Sequence, residues 1–346
     1  MSRARRFLLP FLAILLLPGC QRLTNPATEA AGPGEYLFCF WNVENFFDNK
    51  LDGYSHQPDK EFDAWFAKDQ AVRELKLKHL SEALLELNGG RGPDILAIAE
   101  CETERAADLL RDALNKQLAN KADPYRHVLY KDPHGGRHIA TAIITRLPVQ
   151  GDRTRLLGRR QRILEGRIEV NGHVLIVIAS HWTSRISEKE GEERKGHGRS
   201  DYGDKIYGEF RAMFARNPAV DLLICGDFND TPDDTSVTEH LHAISDINMV
   251  RGGFEPVLFN LFANKDPDKF GTHYHRHWFV FDQLVVSPGM LDDKGWSVDP
   301  ESATAVRTLH KSNDRQKRPW SFGTPKHGDR GYSDHFPVTV KLRVAP

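Results

Sequence analysis

The dipeptide Asn171-Gly172 separates two apolar runs, residues 162–170 and 173–180. Asn-Gly between two strand-like segments is a strong signal for a tight antiparallel hairpin, because both residues tolerate the positive φ that such a turn needs. Elsewhere helices and strands alternate. Tyr36 to Val43 reads as a strand. Residues 62–88 carry a helical stripe (Trp65, Val72, Leu75, Leu80, Leu84, Leu87) that Gly89-Gly90 stops, and Pro93-Asp94 opens a strand over Ile95–Ala99. A second helix is expected over 104–118, and strands over 125–130 and 138–146. Residues 185–204 are charged and Gly-rich and read as a long loop. Then come a helix near 203–216, a strand over 220–225, a short helix over 235–242, strands over 277–286 and 336–343, and an extended loop over 300–331. A purely parallel doubly wound sheet does not fit the hairpin. A four-layer α/β sandwich, two packed mixed sheets flanked by helices, does. The 346 residues, 40% of them apolar, are enough for its core.

The N-terminus stands apart. Arg3, Arg5 and Arg6 precede an apolar stretch from Phe7 to Leu17, too short to span a bilayer as a helix. Leu17-Pro18-Gly19-Cys20 resembles a bacterial lipoprotein cleavage site with Cys20 as the lipidated new N-terminus; an ordinary secretory signal is the alternative. The expected organisation is a signal peptide over 1–19, a lipidated, flexible tether over 20–35 and one domain over 36–346. Export to the cell envelope follows, with a lipid anchor in a membrane, the outer one by analogy because Gln21 is not Asp. Cleavage removes three Arg and no acid, which moves the net charge from −1 to −4. That balance argues against a dedicated binder of long duplex nucleic acid but not against a metal-dependent enzyme, since bound cations supply positive charge locally. Cys39, Cys101 and Cys225 lie in or beside apolar runs without metal-ligand spacing and read as buried thiols, with a Cys101–Cys225 disulfide as the alternative.

Polar residues collect where apolar runs end. Asp227-Phe228-Asn229-Asp230 follows the strand over 220–225, so Asp227 and Asn229, two apart, are expected to point to one side. Asn42, Glu100, His181, Asp282 and the pair Asp334-His335 stand at similar ends. Singly, each reads more readily as a solvated strand end, an Asx turn or a packed histidine than as part of a site. Their occurrence together in one chain is the informative observation.

The phrases Trp41-Asn42-Val43-Glu44-Asn45-Phe46-Phe47-Asp48, Ile98-Ala99-Glu100, Ser180-His181-Trp182, Gly226-Asp227-Phe228-Asn229-Asp230, Phe281-Asp282-Gln283 and Ser333-Asp334-His335 resemble the endonuclease/exonuclease/phosphatase superfamily of metal-dependent phosphodiesterases. The resemblance spans the chain after the tether and is closest to bacterial, often exported members. It implies a divalent cation, Mg²⁺ with Mn²⁺ or Ca²⁺ as options, held by Glu100 with Asn42 and Asp334. It implies His335 as general base or phosphate contact, oriented by Asp282, and Asp227 as the group that orients water or protonates the leaving oxygen. His181 and Asn229 would hold non-bridging oxygens. Many relatives carry Gln before the metal-binding Glu; Ala99 stands there in this chain.

Arg185 is a further candidate for a substrate phosphate. The histidines His273, His275 and His277 alternate as if on one strand face, where a wet edge is the simpler reading than a metal site. The basic runs 153–162 and 311–318 read as solvated surface with a polyanion contact as the alternative. Loops 48–61, 185–204 and 300–331 are expected to wall the site. The implied function is phosphodiester hydrolysis, with nucleic acid as the leading substrate and a phospholipid or small phosphoester as the alternative. No clear aromatic hairpin of the kind that lipid-directed relatives expose is evident, and a monomer without protein partners is expected.

Overall fold

The hairpin at Asn171-Gly172 is present. Both turn residues have positive φ (52° and 82°), and Val170 pairs with His173 across the turn. The computed structural model describes residues 27–346 except 135, 159, 186–197 and 253–254, so Cys20 and the N-terminal segment lie outside the described residues. Along the chain, β1 (Glu35–Phe46) is followed by helices α1 (Gln57–Lys68) and α2 (Gln70–Leu85), β2 (Ile95–Cys101) and α3 (Glu104–Gln117). Next come β3 (His127–Tyr130), β4 (Ala140–Thr145), β5 (Arg155–Leu156), β6 (Arg162–Val170), β7 (His173–His181), α4 (Arg199–Phe214) and β8 (Leu222–Asp227). The chain finishes with β9 (Ala243–Ile244), β10 (Leu258–Asn260), β11 (His273–His275), β12 (His277–Phe279), β13 (Asp282–Val286), β14 (Trp296–Ala305) and β15 (Val338–Val344).

One mixed sheet has the order β14-β15-β1-β2-β4-β3, the other β5-β6-β7-β8-β13-β10-β9, and β11-β12 forms a separate pair. The period-2 alternation of β1 shows how the layers are glued. Phe38 and Phe40 point between the sheets and pack with Leu164, Val177, Cys225 and Leu284. Leu37, Cys39, Trp41 and Val43 face the other way, toward Leu80 and Leu84 of α2 and Leu110 of α3. On the far side, Ile206 and Phe210 of α4 cover Ile176, Ile178, Leu222 and Ile224. The result is the expected sandwich of helices, sheet, sheet and helices. Cys39, Cys101 and Cys225 are buried free thiols.

Several elements differ from the sequence reading for identifiable reasons. The stripe over 62–88 is two helices, because Asp69 adopts an extended conformation and its carboxylate accepts the Val72 N–H at 3.1 Å, capping α2. The strand expected over 277–286 divides into β12 and β13. His273, His275 and His277 do not share one strand, since the chain reverses at Arg276 (φ 62°) and His275 pairs with His277. Strand β14 escapes the sequence reading: it carries Pro300 and acids, and it survives as an edge strand with a register shift between Asp299 and Thr304. Residues 300–305 are therefore strand rather than loop.

Phe40 is fully buried between the sheets. Phe40→Ala is expected to cost about 3–5 kcal/mol in urea unfolding, with the denaturant slope unchanged. A loss under about 1 kcal/mol would contradict its place in the core.

Candidate active site

Two interrupted strands aim the key side chains. β1 and β2 pair in parallel from Phe38↔Ile95 to Asn42↔Ala99, then the register shifts before Phe46↔Cys101. Glu44, Asn45 and Glu100 sit in that shift with φ of 53°, 46° and 62°. An irregularity of this kind redirects a side chain at a local backbone cost of about 1–2 kcal/mol per non-Gly residue in the left-handed region. Part of the cost is offset because the Asn45 N–H donates to Glu100 Oε2 at 2.7 Å. The second sheet contributes by register: His181 at the end of β7 lies beside Asp227 of β8, and Asp227 faces Asp282 of β13. Beyond Asp227 the chain turns, with Asp227 Oδ1 accepting the Asn229 N–H at 2.9 Å, so both side chains reach the same cleft, as expected, through a turn rather than a continued strand.

The sheets meet at Asn42. Its Nδ2 donates to Glu100 Oε1 at 3.3 Å and to Asp227 Oδ2 at 3.0 Å. Its Oδ1 is occupied by the Glu44 N–H at 3.0 Å. Asn42 therefore turns its amino group toward both carboxylates, while its Oδ1, the atom expected to face a metal, accepts the Glu44 N–H. His181 Nε2 lies 3.9 Å from Glu100 Oε1 and 3.8 Å from Asp227 Oδ2, and His335 Nε2 lies 3.7 Å from Asp227 Oδ2. His335 Nδ1 bonds Asp282 Oδ2 at 2.7 Å. Ser333 Oγ bonds the Asn42 carbonyl at 2.6 Å and receives the His335 N–H at 3.2 Å, fixing the loop that carries Asp334.

The two histidines are pushed apart electrically. Burial lowers His181 well below its usual range, and the charges of Arg162, His335 and Arg137 lower it further, so it is neutral near pH 7. Burial also works against charge on His335, but the Asp282 and Asp227 carboxylates outweigh it and hold the imidazole well above its usual value. Asp227 is pushed up to about 7, first by burial and then by Asp282, against the pull of His335. One neutral imidazole, one imidazolium and a carboxyl group near its midpoint thus face a single cleft.

That cleft, about 820 Å³, is lined by Glu100, His181, Asp227, Asn229, Asp334 and His335 together with Arg137, Arg160, Arg162 and Arg185. Arg185 stands in the wall, but its guanidinium is held by Asp230 Oδ1 at 2.7 Å and by the Asn229 carbonyl at 2.8 Å. Asn229 itself donates to the Trp182 carbonyl at 3.2 Å. The walls differ from expectation: His56 comes from loop 48–61, whereas residues 300–331 contribute nothing and the hairpin residues His273, His275 and Phe279 take their place. Residues 186–197 fall outside the described residues. Of the two basic runs, 153–162 brings Arg160 and Arg162 to the cleft and 311–318 brings none.

The Endonuclease/Exonuclease/phosphatase family matches residues 37–344 of the sequence. The chain belongs to this family. Solved structures with a similar fold include a family protein from Leptotrichia buccalis, 15% identical with a TM-score of 0.50 over 89% of this chain and 99% of that one. Sphingomyelinase C from Streptomyces griseocarneus aligns at 13% identity and a TM-score of 0.50, over 89% and 99% of the two chains. Truncated TDP2 from Caenorhabditis elegans aligns at 15% identity and 0.49, over 90% and 98%. No curated protein matches the sequence. Family members are hydrolases of phosphoester bonds and generally depend on a divalent metal.

The residues present suit such an ion. Glu100 and Asp334 both face the cleft, and the Asp334 carboxylate takes no hydrogen bond among the described residues. Hard carboxylate oxygens at a wet cleft match the preference of Mg²⁺ for one or two carboxylates plus water. Two family-site neighbours had no role in the sequence reading. Glu44, nearly buried, accepts from Ser321 Oγ (2.6 Å), Phe322 N (2.7 Å) and Gly323 N (3.0 Å). Lys76, fully buried on α2, donates to the Tyr332 carbonyl at 2.8 Å. Together they clasp the loop leading to Asp334-His335. Burial lifts Glu44 to about 7, with Asp334 adding to it, and lowers Lys76 to about 8 against Glu44, Asp334 and Glu100. The letters that could have flagged them are the Glu within the Asn42–Asp48 phrase and a Lys on the apolar stripe.

Asp282→Asn, in protein free of divalent ions, is expected to bring the His335 imidazole titration down in NMR; an unchanged titration would contradict the pairing. The sign for stability follows. Because folded His335 binds its proton more tightly than the unfolded chain does, the pair stabilises fully below about pH 6.5 and fades as pH rises through the raised folded value. The substitution should therefore cost more stability at pH 6 than in alkali.

Proposed function

We propose that the protein is a divalent-metal-dependent phosphodiesterase whose substrate is nucleic acid. The observation that carries the reading is the convergence of Glu100, His181, Asp227 and His335, with nitrogen-to-oxygen distances of 3.7–3.9 Å, on one cleft. A phosphodiester in that cleft places its non-bridging oxygens against the His335 imidazolium and the His181 imidazole. Asp282 keeps His335 charged, so His335 acts as a phosphate contact rather than a base. Asp227 is the group that exchanges a proton with the attacking water or the leaving oxygen near neutral pH. Asn42 holds Glu100 and Asp227 in register. A divalent ion held by Glu100 and Asp334 would supply Lewis acidity and offset the charge of the phosphoryl oxygens.

Nucleic acid is favoured by the walls. Arg160 and Arg162 offer positive charge, whereas Arg137 is paired with the buried Asp59 at 2.8 Å, and Phe281 stacks with His273 (centroids 5.7 Å apart) and Phe279 (4.7 Å) to form a platform on which a base can lie. A phospholipid is the second reading. The hairpin β11-β12 is aromatic at its base, but His275, Arg276 and His277 at its tip are exposed and polar, which suits a polyanion better than a bilayer interior. The signal-like N-terminus supports export and anchoring through Cys20; Cys20→Ser is expected to move the protein from the membrane to the soluble fraction, and unchanged partitioning would contradict the anchor.

Incubation with single-stranded and plasmid DNA in Mg²⁺ should give cleavage that EDTA abolishes. Glu100→Ala and His335→Ala should each lower the rate by about 100-fold or more. Cleavage that persists in EDTA, or turnover confined to lipid or sugar phosphoesters, would overturn the assignment.

A further inference from the structure

The proposed chemistry leaves one buried charge without a role. Lys76 lies in the middle of α2, on the stripe that also carries Leu80 and Leu84, and has no exposed surface. Its ammonium donates to the Tyr332 carbonyl at 2.8 Å and stands 4.6 Å from the centre of the Phe322 ring. Among the described residues no carboxylate forms an ion pair with it. The Glu44 oxygens are taken instead by Ser321 Oγ and by the Phe322 and Gly323 N–H groups. A dry ammonium held by one carbonyl and one ring is costly, and an apolar side chain would suit the same helix face better.

Where the charge sits gives the reason for it. The Tyr332 carbonyl belongs to the residue two before Asp334. One turn further along α2, His79 Nδ1 bonds the Gly331 carbonyl at 2.7 Å, so the helix grips two successive carbonyls of the segment that delivers Asp334 and His335. Burial weighs against the Lys76 charge, and Glu44, Asp334 and Glu100, in that order, support it. Two of these three are the carboxylates that face the cleft as candidate ion ligands. Lys76 therefore stands behind the ion site rather than in it.

We propose that Lys76 is a positioning residue that serves as a built-in counter-charge for the divalent-ion site, holding Glu100 and Asp334 together before an ion binds and weakening the ion once it does. The inference rests on the reading of Glu100 and Asp334 as ligands. A fixed positive charge close to a cation opposes its binding, and does so strongly in a poorly solvated interior. A purely structural lysine makes the opposite prediction. Its removal would loosen Asp334 and weaken the ion, whereas removal of a counter-charge tightens it.

Titration of the protein with Mn²⁺ at pH 7 without substrate, with free ion followed by electron paramagnetic resonance, tests this apart from hydrolysis. Glu100→Gln should weaken binding and so locate the site. Lys76→Met and Lys76→Gln should each bind Mn²⁺ about tenfold tighter or more, while Lys76→Arg, which keeps the charge, should stay within about twofold of the parent. Lys76→Gln still offers a donor to the Tyr332 carbonyl and keeps the test decisive if Lys76→Met is poorly stable. Unchanged or weaker binding in Lys76→Gln, or binding as tight in Lys76→Arg as in Lys76→Gln, would overturn the proposal alone. A parent that binds no Mn²⁺, or binding untouched in Glu100→Gln, would overturn the reading of the ion site and the proposal with it.

Discussion

The Asn42 amide joins the two sheets at the point where their charges meet. One NH₂ group spans Glu100 Oε1 from the first sheet and Asp227 Oδ2 from the second. Without it two carboxylates would face each other across a largely dry gap, where like charges are poorly screened. The amide fixes their separation without adding net charge, which leaves the surplus negative charge available to a cation. Its position depends on the packing beneath: Phe38 and Phe40, on the same strand, set the spacing between the sheets.

Around that bridge, environment rather than residue type divides the labour. His181 and His335 present the same imidazole to the same Asp227 oxygen at 3.8 and 3.7 Å. Burial among Arg162 and Arg137 keeps one neutral, and the Asp282 carboxylate keeps the other charged. Asp227 lies between them, raised to about 7 chiefly by burial. In the proposed reaction, a phosphoryl group whose charge grows on attack would meet a fixed cation, a neutral contact and a group that can move a proton.

Much of the site was legible because strands deliver it. Glu100, His181, Asp227 and Asp282 each terminate or begin an apolar run, and a run that must be buried fixes where its polar end emerges. What was not legible depended on contacts distant in sequence. Glu44 acts through Ser321, 277 positions away, and Lys76 through Tyr332, 256 away, so no local pattern reveals either. The direction of the Asn42 amide hinges on one backbone N–H in an irregular stretch of β1. Likewise β14 was hidden by a proline that only an edge position tolerates, and the histidine series misread because Arg276 reverses the chain.

In the proposed reaction, water positioned among these groups attacks phosphorus. The direct measurement is hydrolysis of a simple phosphodiester in H₂¹⁸O with Mg²⁺, followed by mass spectrometry of both products. One labelled oxygen per turnover is expected in the phosphomonoester and none in the alcohol. Label in the alcohol would contradict attack at phosphorus, and an absence of turnover would contradict the enzymatic reading of the site.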